Sequence, residues 1–284
     1  MRGMTAGAII TGVLCAAGCS AQEGRSACPS EGCDLAESRT LAYTEPASVL
    51  REMTVIGPTE EGAWPVVILA HGSVQHRSAV SDWATGIAAG GALTYNAEWP
   101  SGSGPTEEVV ASLACAISVA VDDAATHGGD TSRVVYVGHS LGAGIGAAAA
   151  LGGAPHLDDC TVAAEGDTLP DAFVGYEGPY DVATVDYTND RAPLDPPGDE
   201  AADPYAQIGG NPELMLRLLH GDAEDFSWFD VPLSVSEDFA DALSTAGYDA
   251  EVVVVEGGEH IEIWEDTPPQ LAVVAQVQEL LDEL

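Results

Sequence analysis

Residues 133–144 read RVVYVGHSLGAG: a β-branched run, a serine fenced by glycines, and the start of an alanine-rich stretch that continues to residue 150. The first part has the composition of a buried strand, and the last part that of a helix packed close to its neighbours. Between them, Gly138-His139-Ser140-Leu141-Gly142 fits G-x-S-x-G. In that turn a serine is lifted above a sheet on a strained backbone, and small neighbours let the chain pass. The same pentapeptide suits a plain strand-to-helix turn. Ser140 is therefore read as a nucleophile only with what the rest of the chain supplies.

On either side the pattern alternates. Strand-like runs are Glu52–Ile56, Pro65–Ala70, Ala92–Ala97, Arg133–Val137, Ala172–Tyr176, Leu214–Leu219 and Ala250–Val255. Helix-like segments lie at about 79–90, 105–127, 141–151, 233–246 and 268–283. Buried β-branched runs separated by helices predict an α/β domain, a mostly parallel twisted sheet with helices on both faces. At 284 residues and 46% hydrophobic, the chain can bury one sizeable core. Residues 178–212 are rich in Pro and Asp with little periodicity, and read as a long loop or cap near the site. No G-x-G-x-x-G follows a first strand and no phosphate loop is present, so nothing supports a nucleotide cofactor.

In an open parallel sheet, reacting groups gather at the carboxyl ends of the strands. Four features sit there. Ser140 is the first. The second is His260 in VVVVEGGEH, placed after the last strand where it can serve the serine as general base. The third is an acid in LLHGDAEDFSWFDVP, where Asp222, Glu224, Asp225 and Asp230 all compete. Asp225 is the first choice and Glu224 the alternative, because a carboxylate after the penultimate strand orients the imidazole and stabilises its cation. The fourth is Ala70-His71-Gly72-Ser73-Val74, which closes an early apolar strand. Acyl transfer needs N–H donors aimed at a developing oxyanion. The backbone N–H groups of Leu141 and Ser73 are the expected pair, with His71 bracing the turn.

These residues resemble the α/β-hydrolase superfamily, in particular secreted carboxylesterases of the feruloyl-esterase-like, hormone-sensitive-lipase-like and dienelactone-hydrolase-like kind. The carrying segments are HGS at 71–73, THGGDTSRVVYVGHSLGAG at 126–144, GPYD at 178–181, HGDAEDFSWFDVP at 220–232 and GGEH at 257–260. The resemblance implies a Ser-His-acid triad, an acyl-enzyme, no metal and no cofactor. It makes hydrolysis of small-molecule or polymeric carboxylic esters the expected reaction. The alternatives on the same fold are a serine peptidase, an acyltransferase or a polyester depolymerase. A non-catalytic, surface-tethered binding protein is the alternative of a different class. Two departures stand out: HGS replaces the HGG or HGGG of many relatives, and the acid loop is longer than usual. Trp64, Trp99, Trp228 and Trp264 either line an apolar pocket or pack the core.

Charge excludes one class of partner. The sequence holds 46 Asp and Glu against 8 basic residues, all arginine, for a net charge of −38. Nucleic-acid binding needs a cationic surface, and polyanionic substrates are disfavoured too. A lysine-free acidic surface fits a saline habitat or the drift of a GC-rich genome, and composition does not choose between them. The amino terminus reads as an export signal over residues 1–18, with Arg2 ahead of the apolar run TAGAIITGVLCAAG. Small residues before Cys19 resemble a bacterial lipobox, which makes a lipid anchor at Cys19 the only expected membrane contact. Cleavage near Ala21 is the alternative. A flexible tether is expected over 19–40 and the catalytic domain over 41–284. In an exported chain, Cys28, Cys33, Cys115 and Cys160 allow three pairings, of which Cys28–Cys33 with Cys115–Cys160 is preferred.

Overall fold

Every side chain of the segment Trp64–Ala70, WPVVILA, is buried. A strand apolar at each position must be covered on both faces, and the topology provides the cover. The computed structural model describes residue 28 and residues 32–152, 157–162, 168–189, 191–223 and 231–284. The elements are β1 (Arg39–Ala42), β2 (Glu52–Ile56), β3 (Trp64–Ala70), α1 (Ser81–Ala89), β4 (Leu93–Ala97), α2 (Glu107–Thr126) and β5 (Gly129–His139). They continue with α3 (Leu141–Ala150), β6 (Ala172–Tyr176), β7 (Val185–Asp186), β8 (Ala192–Pro193), β9 (Met215–Gly221), α4 (Leu233–Ala246), β10 (Asp249–Val255) and α5 (Pro268–Glu283).

Eight strands form one sheet in the order β1-β2-β4-β3-β5-β6-β9-β10. From β4 to β10 all neighbours are parallel, while β1 and β2 add an antiparallel edge. The expected α/β architecture is therefore present. The period-2 alternation of strands divides the core in two. Val66, Ile68 and Ala70 of β3 face one cluster with Val134 and Tyr136 of β5, covered by α2, α3 and α4. Val67 and Leu69 face the other with Val135 and Val137, covered by α1 and α5.

Helix α2 is long and apolar enough to cross a membrane. Here it is a core helix: Val110, Leu113 and Ile117 lie in the first cluster. Thr106 caps its first turn by accepting the Val109 N–H, and Glu107 and Glu108 complement its dipole. Two disulfides, Cys28–Cys33 and Cys115–Cys160, pair the cysteines as preferred from the sequence. Cys33 is buried and donates its N–H to Ala89 O, and Ala36 N–H reaches Gly57 O. These contacts fall within the stretch 19–40 expected as a tether. Residues 1–18, Cys19 and Ala21 lie outside the described residues.

Candidate active site

The site begins at the turn between β5 and α3. Ser140 has φ 51° and ψ −123°, a conformation that costs a non-glycine residue about 1–3 kcal/mol. The surroundings hold it there. Its N–H reaches Tyr176 O at 2.9 Å, and its carbonyl accepts from Ala143 and Gly144 at 2.9 and 3.0 Å. The flanking glycines are required by close approach. A Cβ on Gly138 would stand 2.5 Å from Ala143 Cα, and one on Gly142 would collide with the carbonyl oxygens of Ala70 and His71. Leu141 opens α3, so its N–H has no acceptor within the helix, and the residue lines the same cavity as Ser140.

His260 arrives on the loop after β10. Its Nε2 lies 3.0 Å from Ser140 Oγ, and its Nδ1 lies 2.5 Å from Glu177 Oε2. All three side chains are buried. The loop is pinned on both sides of the imidazole: Tyr176 O–H donates to Glu259 O at 3.1 Å, and His139 Nε2 to His260 O at 2.8 Å. The other ring nitrogen of His139, Nδ1, faces Gln75 Oε1 at 3.0 Å, so each nitrogen meets an oxygen. Burial, and secondarily the neighbouring His260, lower the His139 pKa to about 3, so that ring stays neutral.

Glu177 directly follows β6 and also has a positive φ, of 48°. Its second oxygen, Oε1, accepts the Gly221 N–H at the end of β9 at 2.9 Å. One carboxylate thus joins the ends of two adjacent strands to the imidazole.

The early turn after β3 is clamped from below by Glu98, at the end of β4. Glu98 Oε1 stands 3.3 Å from His71 Nε2, without hydrogen-bond geometry, and 3.2 Å from His76 Nδ1. Glu98 Oε2 accepts the Arg77 N–H at 3.0 Å. His71 is fully buried and stacks on Trp99, whose Nε1–H donates to His71 O at 3.1 Å. Burial lowers the pKa of His71. Gly72 N–H is taken by Gln75 Oε1 at 2.8 Å.

Several solved structures share this architecture. A truncated carbohydrate esterase from gut microbiota superposes with a TM-score of 0.63 at 19% identity, over 90% of this chain and 100% of that one. A butyrate-bound esterase of the planctomycete Thermogutta terrifontis gives 0.64 at 18%, over 87% and 94%. Carboxyl esterase 2 of the mycorrhizal fungus Tuber melanosporum gives 0.60 at 14%, over 88% and 89%. No family model and no curated protein matches the sequence.

The fold is that of the α/β-hydrolases.

Within this fold, the sequence-predicted Ser140 and His260 come within hydrogen-bond distance, and Leu141 and Ser73 line the same cavity as Ser140. The expected acids, Asp225 and its alternative Glu224, lie outside the described residues, as does Asp230. Among the described residues, the carboxylate on His260 Nδ1 is Glu177, at the end of β6. Asp222 is described, and it accepts the Gly257 N–H at 2.6 Å. Glu177 had a sequence signal: it ends a buried run in GYEGPYD, one residue ahead of the GPYD segment already singled out.

A cavity of about 250 Å³ opens beside Ser140. Its walls come from the α3 start and from residues 179–194, including the β7–β8 hairpin. The segment expected as a cap thus supplies much of the site wall. Of the tryptophans weighed as pocket residues, Trp64 and Trp99 are buried, Trp264 is exposed, and none of them lines this cavity. Trp228 lies outside the described residues.

Proposed function

We propose that the chain is a serine esterase acting on carboxylic esters through Ser140, His260 and Glu177. The observation that carries this reading is the relay Ser140 Oγ to His260 Nε2 at 3.0 Å and His260 Nδ1 to Glu177 Oε2 at 2.5 Å. Ser140 Oγ attacks the acyl carbonyl as His260 Nε2 takes its proton, and Glu177 stabilises the imidazolium. The oxyanion is held by the Leu141 and Ser73 N–H groups; Gly72 N–H is already engaged by Gln75. His260 returns the proton to the departing alcohol. Water, deprotonated by the same imidazole, then cleaves the acyl-enzyme, and Ser140 regains its proton.

Structural neighbours support the reading from outside. The Thermogutta terrifontis esterase is described with butyrate bound and as phosphonylated by cyclosarin, a reagent class that captures activated hydroxyls. Export is part of the same proposal. Two disulfides fit an oxidising compartment, as does the amino-terminal leader. The test is hydrolysis of p-nitrophenyl butanoate by the purified chain. Ser140→Ala is expected to lower kcat by about 10³-fold or more; a variant retaining most of the activity overturns the assignment.

A further inference from the structure

The cavity beside Ser140 is larger than the attacked carbonyl requires, and its walls say what fills it. We propose that it is the acyl side of the site, shaped for an uncharged, apolar acyl group of hexanoyl or benzoyl size. This rests on the esterase reading above.

The side follows from the mechanism. In the tetrahedral intermediate the carbon carries Ser140 Oγ, the oxyanion, the acyl group and the departing oxygen. His260 Nε2 must reach the departing oxygen, so the alcohol stands on the His260 side. The cavity is lined by Ser140, Leu141 and Ser73, but His260 is not among its lining residues. It therefore receives the group on the other side of the carbonyl.

The size follows from volume. A cavity of about 150 Å³ accommodates benzene, and this one measures about 250 Å³. An acetyl group leaves most of it empty.

Charge follows from the lining. Pro105, Pro179, Val182, Val185 and Leu194 are apolar, and among the described lining residues Asp186 is the only charged one. Asp186 is engaged by Thr188, whose N–H and Oγ–H reach its Oδ1 at 2.9 and 2.6 Å. None of the six described arginines lines the cavity, and each is paired with a carboxylate elsewhere. An acyl tail ending in a carboxylate would meet Asp186 with no cation to offset it, in a chain of net charge −38.

The experiment is a p-nitrophenyl ester series (acetate, butanoate, hexanoate, decanoate, benzoate and hemisuccinate) beside a series of acetates with varied alcohols. At about 0.8 kcal/mol per buried methylene, kcat/KM should rise at least tenfold from acetate to hexanoate, then fall at decanoate. Hemisuccinate should run at least tenfold below butanoate. Leu194→Trp should cut the hexanoate-to-acetate ratio at least tenfold, and Leu194→Ala should move the optimum to a longer chain. A flat acyl series, a ratio that neither variant moves, or a preference carried by the alcohol overturns the pocket assignment while the esterase reading stands. No turnover of any ester, with Ser140 inert to a fluorophosphonate, overturns the esterase reading and this inference with it.

Discussion

Glu177 Oε2 meets His260 Nδ1 at 2.5 Å across 83 residues of sequence. The contact exists because β6 lies between β5, which carries Ser140, and β9, whose neighbour β10 carries His260. The Gly221 N–H on Oε1 fixes the carboxylate plane from the β9 side. Glu177→Gln keeps the shape and removes the charge that stabilises the imidazolium. Its kcat for p-nitrophenyl butanoate should drop by about 10³–10⁴-fold. Asp225→Asn and Glu224→Gln should stay within about threefold of wild type. Steady-state kinetics on the three variants decide which carboxylate serves His260.

Glu98 acts one layer further out, by fixing both ends of the turn that carries Ser73. It faces His71 at one end and His76 and the Arg77 N–H at the other. Glu98→Ala frees that turn, and the oxyanion donor drifts. A lost or misplaced donor costs up to about 10²–10³ in kcat, so a fall of about tenfold or more is expected with KM changed less than about threefold. Glu98→Gln should recover part of it. A KM effect alone, with kcat intact, contradicts the positioning role.

The sheet, its helices and the Ser140–His260 pair were legible in the sequence because each obeys a local rule. Buried runs such as WPVVILA read as central strands, and G-x-S-x-G marks its own turn by the glycines that close packing needs. The acid obeys no such rule. In a chain with 46 acidic residues, the carboxylate proposed to serve His260 looks like any other. Glu177 is distinguished only by the strand order that brings β6 beside β9, which is a tertiary fact. The edge strand β1 was hidden for a related reason: Arg39–Ala42 is a four-residue strand with no buried position, and pairing with β2 defines it. The β7–β8 hairpin is shorter still, at two residues a strand.

Stability should fall on mild acidification, and His139 gives the sign. Its ring titrates near 6.5 when unfolded and is lowered to about 3 by burial in the folded chain. Below 6.5 the unfolded state binds a proton that the folded state refuses, so the stabilisation is complete above 6.5 and is lost as pH falls toward 3. His71, also lowered by burial, acts in the same direction. The slope from each such histidine is at most about 1.4 kcal/mol per pH unit. Urea midpoints between pH 7 and 5, a window above most carboxylate titration, should decline, and His139→Gln should flatten the decline. A midpoint that rises on going from pH 7 to 5 contradicts the assignment.

The Cys115–Cys160 disulfide ties α2 to the segment ending at residue 160, across a sequence separation of 45. Loop-closure entropy for that separation is about 4 kcal/mol. Replacing both cysteines by alanine should lower the unfolding free energy by about 2–4 kcal/mol, read from denaturant curves. The ester-hydrolysis rate at 25 °C should hold, because neither residue reaches the site. An unchanged midpoint would mean that the bridge constrains nothing.

The most direct test of the triad is covalent capture of its nucleophile. The purified chain is incubated with a fluorophosphonate, and the adduct is located by intact mass and peptide mapping. One adduct per chain is expected on Ser140, absent in Ser140→Ala and slowed at least a hundredfold in His260→Ala and Glu177→Gln. No adduct, an adduct on another residue, or labelling of Ser140 at an undiminished rate without His260 would contradict the account.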